Sequence, residues 1–227
     1  MHIGLAGGTF NPIHNGHLVA ASEILDRFKL DSIIFIPSAR PPHKKTEEIA
    51  DPLHRFCMVS IATLSHPKFL VSPIELLREE SSYSIQTIKE LKGQYGEKTE
   101  FYFITGVDAF LEIYTWKDPD LLFMNCHFIV ASRPGYENKN ILEILTKTIT
   151  SRFKNILFIA LEAEQNIMKI EVNESPFSIF VAEISALNVS STEIRKRISE
   201  RKPCSDLLPD GVFTYIGKNN LYANINS

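Results

Sequence analysis

Six short apolar runs recur along this chain, with helical periodicity between most of them. The runs are rich in Ile, Phe and Val and mostly apolar on both faces, which is typical of parallel strands that helices cover on each side. Their alternation with helices predicts an α/β fold with a doubly wound, mainly parallel sheet and helices on both faces. Such sheets bind ligands at the carboxyl ends of their strands. The predicted strands are HIGLA (2–6), SIIFIP (32–37), KFLVS (68–72), EFYFITG (100–106), CHFIVAS (126–132) and NILFIAL (155–161).

Helix-start signals mark three of the segments between these runs. Helices are expected at about 15–28, at 51–65 with a proline in the first turn, and at 84–91. The segment from about 135 to 182 fits either extra strands or an irregular excursion. No repeat, low-complexity tract or linker interrupts the sequence, so we expect a single domain spanning 1–227.

Composition and cysteine usage narrow the class of protein. The 227 residues carry a formal net charge of -3, which offers no electrostatic footprint for nucleic acid or an anionic membrane surface. Cys57, Cys126 and Cys204 are widely spaced, so neither a disulfide framework nor a cysteine-rich zinc site is indicated. No apolar run approaches the roughly 20 residues that span a bilayer, and the N-terminus lacks a signal segment. We therefore expect a cytoplasmic protein that binds neither nucleic acid nor a membrane.

The stretch GGTFNPIHNGHL (7–18) follows the first predicted strand and enters the first predicted helix. Gly7 and Gly8 permit a tight turn and let a ligand approach the backbone closely. A helix N-terminus presents unpaired N–H groups and a partial positive charge, which attract phosphate. His14 and His17 share one face of the helix, so their ring N–H groups can donate to one anion. The stretch therefore predicts an anion clamp.

Plainer interpretations of this stretch stay open. A single histidine near a helix start is more often a cap or a surface residue, and a two-glycine turn alone is weak evidence of a site. A zinc site would need a third ligand, but the stretch holds no carboxylate or cysteine and the chain has no HExxH motif. The complete spacing G-x-F-x-P-x-H-x-G-H is far more specific than any of its parts.

A second motif, VSSTEIR (189–195), lies near the other end of the chain. Ser190 followed three residues later by Glu193 is a capping-box pattern, which indicates another helix N-terminus. Its hydroxyl and backbone N–H groups, with Arg195 in the first turn or so, suit a polyphosphate. Alone, the motif fits a helix cap with an exposed arginine equally well. Its occurrence with the first motif favours phosphate binding.

Together the motifs resemble the HxGH and SSTxIR signatures of the HxGH nucleotidylyltransferases, Rossmann-like enzymes that transfer a nucleoside monophosphate from a nucleoside triphosphate. Further segments resemble bacterial nicotinate-nucleotide adenylyltransferases in order and approximate spacing, so the resemblance covers nearly the whole chain. These segments are RPPHKK (40–45), SSYSIQTI (81–88), GVDAFLEIYTWKDPDLL (106–122), RPG (133–135) and VFTYI (212–216).

The resemblance implies an enzyme of NAD biosynthesis that transfers the adenylyl group of ATP to nicotinate mononucleotide. The products would be nicotinate adenine dinucleotide and pyrophosphate. ATP and nicotinate mononucleotide are the implied partners, and Mg²⁺ would accompany ATP, held mostly by phosphate and water. The C-terminal helical part, about 190–227, would complete the ATP site. Association into a homo-oligomer is left open.

The resemblance also implies roles for individual residues. His14 and His17 would bind the ATP phosphates and stabilise the transition state. Other ATP-binding positions would be Gly7, Gly8, Thr9, Phe10, Lys44, Gly106, Asp108, Ser190, Ser191, Thr192 and Arg195. Nicotinate mononucleotide would contact Ser84, Trp116 and Arg133. For three of these residues a purely structural role stays open: core packing for Trp116, a helix cap for Asp108 and a solvated loop position for Lys44.

The chain departs from the family pattern at a few positions. Asn11 stands where the family often has Asp, which preserves a turn-forming polar side chain. Ser84 and Gln86 stand where it usually has Thr and Asp, so an amide replaces a carboxylate in this segment. Two further functions stay open: adenylyl transfer to nicotinamide mononucleotide or phosphopantetheine, and non-catalytic nucleotide binding by a regulator.

Overall fold

The computed structural model describes residues 1–40, 49–78, 81–132, 139–161, 167–185 and 189–223. Their strands form one eight-stranded sheet with the order β3-β2-β1-β4-β5-β8-β7-β6. The strands are β1 (His2–Gly8), β2 (Ser32–Pro37), β3 (Phe69–Val71), β4 (Glu100–Gly106), β5 (His127–Ser132), β6 (Phe158–Ala160), β7 (Ile167–Val172) and β8 (Ser178–Glu183).

Helices connect most of these strands, and short 3₁₀ turns at Ile113–Thr115 and Ser205–Leu207 and a π-helical turn at Thr146–Thr150 adjoin them. The helices expected at 15–28 and 51–65 are confirmed, and the one expected at 84–91 is longer by about one turn. The α-helices are α1 (Asn15–Arg27), α2 (Pro52–Thr63), α3 (Ser84–Tyr95), α4 (Val107–Leu111), α5 (Pro119–Phe123), α6 (Lys139–Leu145), α7 (Ser191–Ser199) and α8 (Asp210–Lys218).

Six strands, from β3 at one edge to β8, are mutually parallel, as the alternating sequence pattern predicts. The chain order reverses direction between β1 and β4, which lie side by side although β2 and β3 intervene in sequence. In an open α/β sheet, such a reversal leaves a crevice at the carboxyl ends of the two strands, where ligands bind.

The expectation that NILFIAL (155–161) forms a parallel strand is wrong. Only Phe158–Ala160 is extended, and it pairs antiparallel with β7, which in turn pairs antiparallel with β8. The direction follows from the connections, because six residues separate β6 from β7 and a parallel crossover needs about a dozen. Of the alternatives left open for 135–182, extra strands are the one observed in its described residues.

The sheet separates two apolar layers, and successive residues of each strand face opposite layers. In β2, Ile34 and Ile36 pack into the layer with α3, α4, α5 and α6, whereas Ile33 and Phe35 pack into the layer with α1, α2, α7 and α8. The two helical motifs of the sequence, at the starts of α1 and α7, therefore lie on the same face of the sheet. Among the described residues, no helix is long and apolar enough to cross a membrane.

Candidate functional site

The turn between β1 and α1 carries the paired histidines. His14 is the N-cap of α1 with extended backbone (φ -145°), and His17 lies in the first helical turn. The His17 N–H donates to the His14 carbonyl at 2.9 Å, and the His14 N–H donates to Nδ1 of His17 at 3.2 Å. The two ring centroids are 3.7 Å apart. The helix start thus holds both rings side by side, as the sequence predicted.

The hydrogen bond to Nδ1 fixes the tautomer of His17. A nitrogen that accepts an N–H must carry the lone pair, so the neutral ring has its proton on Nε2. The edge of the neighbouring Phe10 ring, whose centroid lies 5.2 Å away, restricts the orientation of the imidazole. His17 therefore lines the cavity beside it with a ring of defined tautomer.

His14 differs from His17 in burial. The residue is only 6% exposed, and burial lowers its pKa from 6.5 to about 4. Its Nδ1 is buried and has no hydrogen-bond partner among the described residues. His14 lines the cavity described below, so the free protein presents a neutral imidazole there at neutral pH.

The second motif lies against the same turn. Ser190 is the N-cap of α7 and accepts the Glu193 N–H at 3.2 Å. Ser191 Oγ donates to the Pro12 carbonyl at 2.9 Å, and Arg195 donates to the Asn11 carbonyl at 2.9 Å. These two bonds hold the starts of α7 and α1 together, although the motifs are separated by most of the sequence. The predicted cap is confirmed.

Around this junction lies a cavity of about 760 Å³, here called the first compartment. Ten of the residues predicted to bind ATP line it, from the first turn, the end of β4 and the start of α7. They are Gly7, Gly8, Thr9, Phe10, His14, His17, Gly106, Ser191, Thr192 and Arg195. A Cβ atom added at Gly8 would lie 3.1 Å from the Phe10 ring, so any other residue there requires the ring to shift slightly. Asp108 is exposed in the first turn of α4, next to Gly106.

A second compartment of about 960 Å³ adjoins the first, and Gly7, Gly8 and Thr9 line both. Ser84 and Trp116 line this second compartment. The Trp116 ring packs edge-on against Phe103, with centroids 5.7 Å apart, and is half-buried, so packing and ligand contact are compatible. Ten residues predicted to bind ATP and two predicted to bind nicotinate mononucleotide thus lie in two compartments with a common wall, whereas Ser190 and Asp108 line neither compartment. Lys44 and Arg133 lie outside the described residues.

Two polar residues near the site have contacts that the sequence did not reveal. Arg55 is fully buried behind the turn and donates to the Thr9 carbonyl at 2.7 Å. Oδ1 of Asn11 accepts the Ala50 N–H at 3.1 Å and the Tyr222 hydroxyl at 2.8 Å. Asn11 therefore acts as an acceptor that joins three parts of the chain, a role that turn propensity alone does not reveal.

Glu75 is a further missed residue, and it lines the second compartment. The Thr87 hydroxyl donates to its carboxyl group at 2.8 Å. Burial raises the pKa of Glu75, while its bonds to Thr87 and Ser82 and the charge of Arg78 oppose that rise. No motif marks Glu75 in the sequence, where it reads as one of several acidic residues before α3.

The doubly wound sheet and the cavity with a histidine pair at the carboxyl end of its first strand are those of a Rossmann-like nucleotidyltransferase. Residues 5–197 match the family model described as cytidylyltransferase-like. A relative from Thermoanaerobacter sp., named a probable nicotinate-nucleotide adenylyltransferase, is 43% identical, and the alignment covers 98% of this chain and 94% of the relative. One of the same name from Moorella thermoacetica is 41% identical over 97% and 91%. The chain belongs to the nicotinate-nucleotide adenylyltransferase family.

Solved structures support the fold independently. A nicotinic acid mononucleotide adenylyltransferase from Plasmodium falciparum, solved in complex with NaAD, has a TM-score of 0.70 at 20% identity, over 97% of both chains. The same enzyme in complex with APC gives a TM-score of 0.69. At this identity the likeness concerns the fold. The family resemblance and the doubly wound α/β fold expected from the sequence are confirmed, whereas the roles of individual residues stay predictions.

Proposed function

We propose that this protein transfers the adenylyl group of ATP to nicotinate mononucleotide, with ATP in the first compartment and the acceptor in the second. The main observation behind this proposal is the histidine pair at the end of β1. The pair lines the first compartment, which shares Gly7, Gly8 and Thr9 with the compartment around Trp116. A reaction between two bound nucleotides needs such adjoining sites, and membership of the family supplies the identity of the substrates.

The reaction requires alignment and charge stabilisation more than acid–base chemistry. A phosphate oxygen of the mononucleotide attacks the α-phosphorus of ATP, the bond from that phosphorus to the bridging oxygen breaks, and pyrophosphate leaves with the electron pair. The attacking oxygen is already anionic, so no general base is required. His17 Nε2–H, Arg195 and the N–H groups at the starts of α1 and α7 stabilise the negative charge.

A divalent cation would enter with ATP, and we propose Mg²⁺. Among the described residues, no group of three or more His, Cys, Asp or Glu side chains could hold a metal ion. Phosphate oxygens and water would therefore supply most ligands, which is the usual arrangement for this ion with a nucleotide. When bound, the cation would neutralise charge on the polyphosphate.

Residues with predicted but untested roles complete the proposal. Ser84 and the backbone beside Trp116 would recognise the nicotinate carboxylate, and the indole would stack on the pyridine ring. Arg133 would lie near this pocket, and Lys44 would reach the ATP phosphates. Asp108 would contact a ribose hydroxyl from its position beside Gly106. We place the enzyme in the cytoplasm, without nucleic-acid or membrane partners.

The substrate assignment is tested by measuring pyrophosphate release from ATP and Mg²⁺ with nicotinate mononucleotide, nicotinamide mononucleotide or phosphopantetheine as separate acceptors. We expect release with nicotinate mononucleotide and at least tenfold less with the others. Release with another acceptor alone would reassign the substrate. ATP binding without release with any acceptor would favour a non-catalytic regulator.

His17 provides the matching test of the chemistry. His17→Asn retains an oxygen close to the Nδ1 position, so the bond to the His14 N–H can persist, but it removes the Nε2–H donor. We expect turnover to fall about 10²- to 10³-fold, with a thermal midpoint closer to wild type than that of His17→Ala. Folded His17 variants with wild-type turnover would refute the assigned role.

A further inference from the structure

Arg55 lies in the first turn of α2 and is 0% exposed. It shares the buried stripe of the helix with Met58, Val59 and Ala62, at the i, i+3, i+4 and i+7 positions. An arginine on an apolar stripe carries a cost that a hydrophobic residue of similar volume does not. Its presence therefore needs an explanation beyond packing.

Backbone carbonyl groups satisfy the buried guanidinium. Nε donates to the Ala50 carbonyl at 2.9 Å, one terminal nitrogen donates to the Thr9 carbonyl at 2.7 Å, and the other donates to the Ala39 carbonyl at 3.3 Å. Among the described residues, no carboxylate lies within ion-pair distance of it. Burial lowers its pKa, and the charge of Asp51 opposes that effect, but a guanidinium stays protonated at neutral pH.

The shortest of these bonds fixes the direction of one peptide group. The Thr9–Phe10 bond is trans, so its C=O and N–H point in opposite directions. Because Arg55 holds the Thr9 carbonyl on the buried side of the turn, the Phe10 N–H points away from Arg55. Thr9 and Phe10 both line the first compartment. The Thr9 carbonyl oxygen is thus engaged by Arg55 and is not turned towards an anion in that compartment.

The backbone of Phe10 makes this restraint necessary. Its φ of 48° lies in the left-handed region, which costs about 1–2 kcal/mol for a residue with a Cβ. Rotation of the Thr9–Phe10 peptide would relax the backbone and turn a carbonyl oxygen towards the bound polyphosphate. A neutral side chain in place of Arg55 could fill the volume but could not hold the carbonyl with a charge-assisted bond.

We propose that Arg55 is a positioning residue for adenylyl transfer: it locks the Thr9–Phe10 peptide with its N–H towards the ATP phosphates. The buried charge adds a fixed positive potential behind the turn that stabilises the same anion. The proposal rests on the proposed function for the identity of the anion. Arg55 itself contacts only backbone carbonyls and reaches the substrate through the turn.

The test compares three variants by steady-state pyrophosphate release and by calorimetric binding of α,β-methylene ATP with Mg²⁺, which needs no acceptor. Arg55→Met keeps much of the volume without donors, and Arg55→Lys keeps the charge but cannot reproduce the planar donor geometry. Thr63→Val is the control, because it removes another buried side-chain donor of α2, about 12 Å along the helix from Arg55.

We expect kcat to fall about 10²-fold in Arg55→Met and about tenfold in Arg55→Lys, with the KM of nicotinate mononucleotide within threefold of wild type. Binding of the ATP analogue should weaken about tenfold in Arg55→Met. Thr63→Val should lose thermal stability without either change. Folded Arg55 variants whose kcat and analogue affinity match those of Thr63→Val would overturn the proposal.

If Arg55→Met does not fold, Arg55→Lys provides the test. A tenfold fall in kcat at a thermal midpoint near that of Thr63→Val supports positioning, and a wild-type kcat refutes it.

The wild-type assay separates this proposal from the proposed function. If the wild-type enzyme releases no pyrophosphate with nicotinate mononucleotide, the proposed function fails. Analogue binding still reports on Arg55, since unchanged affinity in its variants would contradict the peptide lock.

Discussion

At the scale of single residues, His14 and His17 occupy one helix start but different environments. His17 has a fixed tautomer because the His14 N–H donates to its Nδ1. His14 is buried, and its pKa of about 4 makes it neutral in the free protein. The sequence predicted that the two rings converge. It could not predict their different burial, because the burial of His14 depends on contacts that form only in the folded chain.

The pKa of His14 gives a stability prediction with a definite sign. The unfolded state, with a histidine pKa near 6.5, binds a proton on acidification before the folded state does at about 4. The free energy of unfolding therefore carries no penalty from His14 above about pH 6.5, and it decreases as the pH falls towards 4. Between pH 7.5 and 4.5 the loss is about 2–3 kcal/mol.

Urea unfolding of the wild type and His14→Gln at these two pH values measures that contribution. The glutamine variant does not titrate, so we expect its stability to fall by about 2–3 kcal/mol less than that of the wild type over the same interval. The difference between the two pH dependences isolates His14 from other titrating groups. Parallel profiles for the two proteins would contradict the depressed pKa.

Arg55 shows a signal that was present in the sequence. Its spacing to Met58, Val59 and Ala62 places a charge on the apolar stripe of a helix that the sequence correctly predicted. A charge at such a position suggests a buried partner. The sequence could not identify that partner, because the Thr9 carbonyl belongs to a distant segment. Every residue has a backbone carbonyl, so a residue pattern cannot show which one accepts the bond.

At the scale of elements, the starts of α1 and α7 form one junction. Both helix starts were predictable from local capping signals, but their contact depends on the parallel sheet. The segments that follow β1 and β8 leave the sheet at the same edge, although β4 and β5 lie between the two strands. Ser190 and Ser191 have different roles at this junction. Ser190 caps α7, and Ser191 donates a hydrogen bond to the Pro12 carbonyl. Glu193 pairs with Arg197 at 2.8 Å, so its carboxylate is engaged away from the cap.

This division predicts different effects for the adjacent serines. The resemblance implies an ATP contact for Ser190, but this residue does not line the first compartment. Ser190→Ala should therefore lower the free energy of unfolding by about 1 kcal/mol through loss of the cap and leave the KM of ATP within twofold. Ser191→Ala should raise the KM of ATP severalfold, because this residue positions α7 against the turn and lines the first compartment. Chemical denaturation and steady-state kinetics of both variants provide the comparison. A larger KM effect in Ser190→Ala would assign ligand contact to the capping serine.

At the scale of the whole molecule, the sequence predicted the parallel strands better than the edge of the sheet. Buried parallel strands are apolar on both faces, and helices separate them, so both signals are strong. In β7, by contrast, Lys169 and Glu171 alternate with apolar residues and pair at 2.8 Å. That alternation is typical of a half-exposed antiparallel strand, and the short connections to β6 and β8 agree with it.

The topology also explains why the site has two compartments. The first is lined by α1 and the start of α7, on one face of the sheet, and the second by α3 and the segment around Trp116, on the other face. The turn after β1 lies between them, at the point where the strand order reverses. Each nucleotide can therefore bind against its own face, and the two compartments share the lining residues Gly7, Gly8, Thr9, Thr105 and Ala109.

The separation of compartments predicts separable kinetics for Trp116. Trp116→Ala removes the ring that faces the second compartment, so the KM of nicotinate mononucleotide should rise roughly tenfold, while the affinity for α,β-methylene ATP stays within twofold. Trp116→Phe keeps an aromatic face and the contact with Phe103, and should recover most of the acceptor affinity. An equal loss of ATP-analogue and acceptor binding in Trp116→Ala would mean that the tryptophan supports the whole crevice, because disruption of the core around Phe103 would reach the shared turn.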